Sequence, residues 1–248
     1  GVQRPAVARR CVVARGAVIP MAWSLQEFAD VAQQTLALAD AAREGLEQTL
    51  RARGQAVLAV SGGRSPIALF TRLRELDLDW SRVTLTLVDE RLVPPGHPDS
   101  NESLVRQHLL HGRAARARLL GLATDPALDL QKYLRRARQE QPRADLALLG
   151  MGEDGHIASL FPGAAGIEAA LDPACAERYV GVIPPAAAHA RISMSLAALL
   201  ECAGLLLSIA GSAKRRVFDA ACADPSSRLP VARLLHEDRV MVRTFWAA

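Results

Sequence analysis

The sequence predicts an α/β fold: a three-layer, doubly wound domain in which a mostly parallel sheet carries helices on both faces. Two observations predict it. Short segments such as 56–60, 145–149 and 205–210 are apolar at nearly every position rather than at alternate ones, as strands covered on both faces are. Between them lie stretches with helical spacing of apolar residues, the alternation expected of strand–helix–strand units. No repeat, low-complexity tract or linker divides the chain, so residues 21–248 read as one domain, and a 50% hydrophobic composition is ample for its core.

Taken in order, residues 24–53 read as one long helix, with Ser24 able to cap it, Gly54 able to end it and Gly45 a place to bend. The strand 56–60 runs into the glycine loop 61–65, and Pro66 opens a helix through about residue 75. Residues 83–88 form a β-branched strand, 89–98 a proline-rich loop and 100–110 a helix. A short strand at 119–122, a helix at 127–139 and the strand 145–149 follow. Strands at 179–183, 191–196 and 205–210, a helix at 212–223 and a closing strand at 239–245 complete the pattern. In such a fold the ligand site lies beyond the carboxyl ends of the strands.

Four loops at those ends carry unusual chemistry. Gly150-Met151-Gly152-Glu153-Asp154-Gly155-His156 follows a buried strand, and its glycines let the backbone approach a ligand while presenting a histidine, the side chain that exchanges protons near neutrality. The plain alternative is a histidine that bonds only its own turn. In Ser61-Gly62-Gly63-Arg64-Ser65-Pro66 the Gly62 and Gly63 N–H groups lie at a helix start, where an anion is favoured. The loop matches neither GxxxxGK[ST] nor GxGxxG, which argues against ATP and NAD, and an ordinary turn capped by Ser65 is its bland reading.

In Asp89-Glu90-Arg91, Arg91 could grip a phosphate through its planar fork and Asp89 could fix that arginine or a substrate hydroxyl, where a salt-bridged surface loop is the ordinary alternative. Lys214, one of two lysines against twenty-eight arginines, sits in the first turn of the helix after Gly211, where its charge opposes the helix dipole unless an anion rests between them. Arg191 opens a strand, and an edge charge is all that pattern alone assigns to it.

Composition excludes several function classes. The net charge of +4 comes from Arg4, Arg9, Arg10 and Arg15 in the acid-free first twenty residues, and the remainder balances at 26 basic and 26 acidic residues, which leaves no basic face for nucleic acid. Residues 1–20 read as a flexible extension rather than a secretory signal, with Met21 a candidate natural start. Cys11, Cys175, Cys202 and Cys222 are scattered without metal-like spacing, so neither zinc nor a disulfide framework is expected and a reducing cytoplasm fits. No window is long and apolar enough for a membrane span. His97, His108, His111, His189 and His236 form no HxxxH pair and read as structural or solvated.

Together these segments, with Val93-Pro94, Ser100-Asn101, Ala158-Ser159-Leu160-Phe161-Pro162, Arg191-Ile192-Ser193-Met194-Ser195-Leu196 and Gly211-Ser212-Ala213-Lys214, resemble the 6-phosphogluconolactonase family from about residue 24 to the end. The resemblance implies hydrolysis of 6-phospho-D-glucono-1,5-lactone to 6-phosphogluconate in the oxidative pentose phosphate pathway, by a metal-independent enzyme without cofactor. It implies His156 as general base, Asp154 as its orienting partner, and Arg91, Arg191, Lys214 and the Gly62-Gly63 backbone around the phosphate, with Asp89, Arg64 and Ser65 nearby. The partner expected is a small sugar phosphate lactone, with neither nucleic acid nor membrane, and the protein a monomer or small homo-oligomer. The chain departs from the family where Arg64 and Ser65 replace a common serine and threonine, and where Ile157 replaces a threonine.

Two alternatives have distinct signatures. Glucosamine-6-phosphate deaminases share the GxGxDGH loop but continue His-Ile-Ala-Phe-Asn-Glu-Pro, and Phe161 stands here in place of that glutamate. A non-catalytic sugar-phosphate sensor would need no base and would usually carry a DNA-binding module, for which twenty residues are too few.

Overall fold

A computed structural model describes residues 23–63, 65–94, 96–122 and 129–248. The expected extension 1–20 and the Arg64 side chain lie outside them. Strand β1 (Trp23–Phe28) leads into helix α1 (Val31–Arg53), followed by β2 (Ala56–Val60), α2 (Ile67–Leu73), β3 (Val83–Leu87), β4 (Asp89–Arg91), α3 (Asn101–His108) and β5 (Arg118–Leu120). Then come α4 (Leu130–Glu140), β6 (Leu146–Gly150), α5 (Ile167–Ala170), β7 (Tyr179–Val182), β8 (Arg191–Met194) and α6 (Leu196–Leu200). The chain ends with β9 (Gly204–Ala210), α7 (Ser212–Ala223), α8 (Pro230–Leu235) and β10 (Val242–Ala247).

Seven strands form one sheet in the order β1-β10-β9-β6-β2-β3-β5, every pair parallel. Consecutive residues are buried along β2, β3, β6 and β9, which requires cover on both faces, as the apolar runs predict. From β2 the chain steps outward through β3 to β5, then returns to β6 on the other side of β2 and steps outward again to β9 and β10. The reversal lies between β2 and β6, and a doubly wound sheet opens its ligand crevice at that point. Ser61 N–H, just past β2, donates to Leu148 of β6 at 3.1 Å.

A second, antiparallel sheet, β4-β8-β7, joins the first through Val88, whose N–H donates to Val60 and whose carbonyl accepts from Met194. One expectation is corrected here. Residues 89–91 are a strand rather than loop, and 191–193 pair with them.

The expected helix 24–53 is also corrected: its first six residues are β1, parallel to β10 at the sheet edge. The true helix start is Asp30, whose carboxylate accepts from Gln33 N–H at 2.8 Å, and Gly54 ends the helix in the left-handed region at φ 78°. The helix is unbroken at Gly45, whose bare α-carbon faces β6; a methyl group there would stand 3.3 Å from Leu146 Cδ2. Gln34, buried on α1, donates to the carbonyls of Ile209 and Phe245 and so ties the helix to the ends of β9 and β10.

Candidate active site

The loops after β2, β3, β6 and β9 all leave the carboxyl edge of the sheet. The β6 loop is the most constrained. Gly152 N–H donates to the His156 carbonyl at 2.9 Å and Gly155, at φ 80°, turns the chain so that His156 folds back over Asp154. The imidazole Nδ1 lies 2.6 Å from Asp154 Oδ1, and the same oxygen accepts the His156 backbone N–H at 3.2 Å. A carboxylate only accepts, so Nδ1 carries the proton and Nε2 keeps its lone pair. The side chain is 29% exposed, which leaves that lone pair a route to a ligand.

The glycine before this pair has no room to be anything else. A Cβ on Gly152 would overlap both His156 Nδ1 and Asp154 Oδ1. On its other side His156 packs against Phe161, with ring centroids 4.4 Å apart. Beyond the histidine the backbone is pinned: Ile157 is fully buried and bridges Met151 and Leu160, while Ser159 N–H donates to Ser193 Oγ on β8 at 3.2 Å.

Asp89 and Asn101 link this loop to the other two. Ser159 Oγ donates to Asp89 Oδ2 at 2.5 Å, and Asn101 Nδ2 donates to the Asp89 carbonyl at 2.8 Å and to Oδ1 at 3.4 Å. Asn101 Oδ1 in turn lies so close to the Gly62 α-carbon that any side chain at position 62 would overlap it. The phosphate-type loop, the Asp89-Glu90-Arg91 strand and the histidine loop are therefore one contiguous network. Asp89 spends its oxygens on this link and forms no ion pair with Arg91 among the described residues, so of the two partners expected for it, that arginine or a substrate hydroxyl, the arginine is not the one it holds.

Glu90 and Asn101, which the sequence reading left out of the site, organise it. The Glu90 carboxylate, 1% exposed, accepts from the N–H groups of Arg91, Asn101 and Glu102 and from Ser100 Oγ, all within 3.1 Å. It satisfies the open N-terminus of α3 from an adjacent strand. Burial pushes its pKa up, against those four donors, which favour the charged form.

Arg91 and Arg191 are direct cross-strand partners in the β4–β8 pair. Like charges facing each other across two strands are unfavourable. Each guanidinium bonds only carbonyls here, Arg91 that of Asp99 and Arg191 those of Ala188 and His189 at 2.8 and 2.9 Å. Among the described residues neither forms an ion pair, and burial, then the charge of Arg91, pushes the Arg191 pKa below its ordinary value. Two cations held together without a direct ion pair among the described residues offer their donors to an anionic ligand, although Asp89, Asp99 and Glu90 lie near enough to offset part of their charge.

Lys214 stands in the first turn of α7, a turn without acidic residues, behind Gly211 at φ 84°. β9, which precedes it, lies beside β6. Gly63, at φ 100°, faces open space, and Ser65 is exposed and supplies no cap, since α2 begins after Pro66 without a side-chain cap. His97 and His189, read from the sequence as structural or solvated, both approach Asp99 beside the arginine pair.

With this geometry in place, the comparisons with known proteins can be read. The family described as glucosamine-6-phosphate isomerases/6-phosphogluconolactonase matches residues 29–246. The chain is 42% identical over 222 residues to 6-phosphogluconolactonase of Pseudomonas aeruginosa, covering 88% of this chain and 93% of the relative. It is 38% identical over 225 residues to that of Neisseria meningitidis serogroup B, covering 89% and 97%. A crystal structure of a 6-phosphogluconolactonase from Shewanella baltica superposes with a TM-score of 0.84 at 33% identity, covering 90% of this chain and 97% of that one. A monomeric glucosamine-6-phosphate deaminase superposes with a TM-score of 0.74 at 20% identity, which speaks to the fold alone.

Proposed function

This chain belongs to the glucosamine-6-phosphate isomerase and 6-phosphogluconolactonase family, and within it we infer that it is a 6-phosphogluconolactonase, a carboxylic ester hydrolase that opens 6-phospho-D-glucono-1,5-lactone to 6-phosphogluconate in the oxidative pentose phosphate pathway. The observation that carries this reading is the His156 ring, fixed by Asp154 on one nitrogen, without a hydrogen-bond partner on the other among the described residues, and covered by Phe161. That arrangement offers a base for water and, with a phenyl ring at position 161, no second carboxyl group for amine chemistry there.

The lone pair at His156 Nε2 takes a proton from water as the water oxygen attacks the lactone carbonyl carbon. When the ring C–O bond breaks, the imidazolium returns a proton to the departing ring oxygen, which becomes a hydroxyl group, so the base is regenerated. Asp154 holds the imidazole orientation and stabilises its charged state. Arg91, Arg191, Lys214 and the Gly62-Gly63 N–H groups take the 6-phosphate, remote from the reacting carbon, so its binding energy serves to position the carbonyl. Ser65 follows that glycine pair, and Asp89 braces the subsite through Asn101.

The expected setting is the cytoplasm, as a monomer or small homo-oligomer. Cys175 and Cys202 are free thiols, and among the described residues no helix is long and apolar enough to cross a membrane. The test is a rapid assay on freshly generated 6-phosphogluconolactone, corrected for spontaneous opening, beside glucosamine 6-phosphate. Accelerated opening with no release of ammonia supports the reading; ammonia release without lactone turnover replaces it with deamination.

A further inference from the structure

His97 and Asp99 in the loop between β4 and α3, and His189 in the loop before β8, bring one potential metal-ligating atom each to within 4.8 Å of the others. His189 Nε2 lies 3.4 Å and His97 Nδ1 3.9 Å from the same oxygen, Asp99 Oδ2, and the two rings meet edge to face with centroids 5.5 Å apart. We propose that His97, Asp99 and His189 form a binding site for a zinc-class divalent cation, distinct from the His156 centre.

The spacing fits such an ion. Nitrogen and oxygen ligands at their usual distance from tetrahedral zinc stand about 3.3 Å from each other, so the His189–Asp99 edge is already in place and the His97 edge needs to close by about half an ångström. The protonation pattern fits as well. The Asp99 backbone N–H donates to His97 Nδ1 at 3.1 Å, so that nitrogen carries no proton, and a metal ion takes its lone pair in place of this bond. The Asp99 carboxylate oxygen beside it carries no proton either, so the two are donors for a cation once that bond is released. On binding, His189 Nε2 gives up any proton it holds to solvent, as coordinated imidazole must.

The neighbouring charges decide which cation. Arg91 donates to the Asp99 carbonyl and Arg191 to the His189 carbonyl, so two guanidinium groups lie against the backbone of the cluster. Their field disfavours ions held by charge and oxygen alone, such as magnesium and calcium, and leaves ions with a specific preference for imidazole. Three protein ligands leave a fourth position open. Occupancy would staple together the two loops whose carbonyls hold the arginine pair, and no step of the hydrolysis passes through the ion.

The experiment is calorimetric titration of chelator-stripped protein with zinc chloride, and separately with magnesium chloride. It is done in a His156→Ala background, so that the other histidine–aspartate pair contributes nothing. One equivalent of zinc should bind, magnesium should not, and adding His189→Ala or His97→Ala should weaken zinc at least tenfold. Asp99→Asn, which keeps the backbone carbonyl that Arg91 uses, should do the same and decides the matter if a histidine variant fails to fold by circular dichroism. Absence of zinc uptake, or affinity within twofold of the parent in the folded variants, overturns the proposal.

Discussion

A single hydrogen bond sets the chemistry of His156. With Nδ1 committed to Asp154 at 2.6 Å, the base is Nε2, and losing the carboxylate frees the ring to adopt the wrong tautomer. Asp154→Asn should therefore lower kcat at least tenfold with little change in KM, measured in steady state against the spontaneous rate. Arg91→Ala should act in the opposite sense, raising KM while kcat largely survives. Losing one charge-assisted contact costs about 1.5–3 kcal/mol, or roughly ten- to a hundredfold in kcat/KM. His156, Arg91 and Lys214 could be singled out in the sequence because each closely follows an expected strand and has a chemistry that the local pattern does not explain. Glu90, Asn101 and Ser159 were not, since their work depends on partners from other elements: Glu90 on the start of α3, Asn101 on Gly62, and Ser159 on Asp89. The same holds for His97 and His189, which only the second sheet brings together.

Between elements, the contacts are close enough that glycines and buried carboxyl groups carry the tolerance limits. Gly62→Ala would drive a methyl group into Asn101 and push the β2 loop off α3, so kcat/KM should fall while the sheet, read by far-ultraviolet circular dichroism, persists. Glu90→Gln replaces one acceptor oxygen with a donor facing N–H or O–H groups, and should cost about 1–3 kcal/mol in urea unfolding. The pH dependence has a definite sign. Because burial raises the Glu90 pKa in the folded chain, the folded state binds the proton more tightly than the unfolded state. The stability tied to that proton is fully present below the ordinary glutamate value of 4.5 and is lost as pH rises through the raised folded value. The advantage of wild type over Glu90→Gln should accordingly shrink across that interval. Sequence pattern failed at β1 for a physical reason: Leu25 and Phe28 are three apart, so six residues satisfy a helical period as well as a strand that is buried at alternate positions only near its start. What makes them a strand is pairing with β10 at the far end of the chain, which no local window contains.

Over the whole molecule, one parallel sheet with a reversal between β2 and β6 explains why loops far apart in sequence share a site. That architecture was legible because strands such as β2 and β6 are almost wholly apolar, whereas the small sheet β4-β8-β7 was not, since the three-residue β4 reads as loop and the pairing of β8 with it lies in no local window. The same packing controls thiol reactivity. Burial pushes Cys202 up to about 12, so a thiol reagent near neutral pH should leave it unlabelled in the folded protein and modify it only as urea opens the core, as mapped by peptide mass. The central claim, that a free imidazole nitrogen at the reversal point acts as the base, is tested most directly by kcat of His156→Ala on freshly generated 6-phosphogluconolactone. A fall of about a hundred- to ten-thousandfold with binding of 6-phosphogluconate retained is the expected result. Turnover equal to wild type would contradict the account.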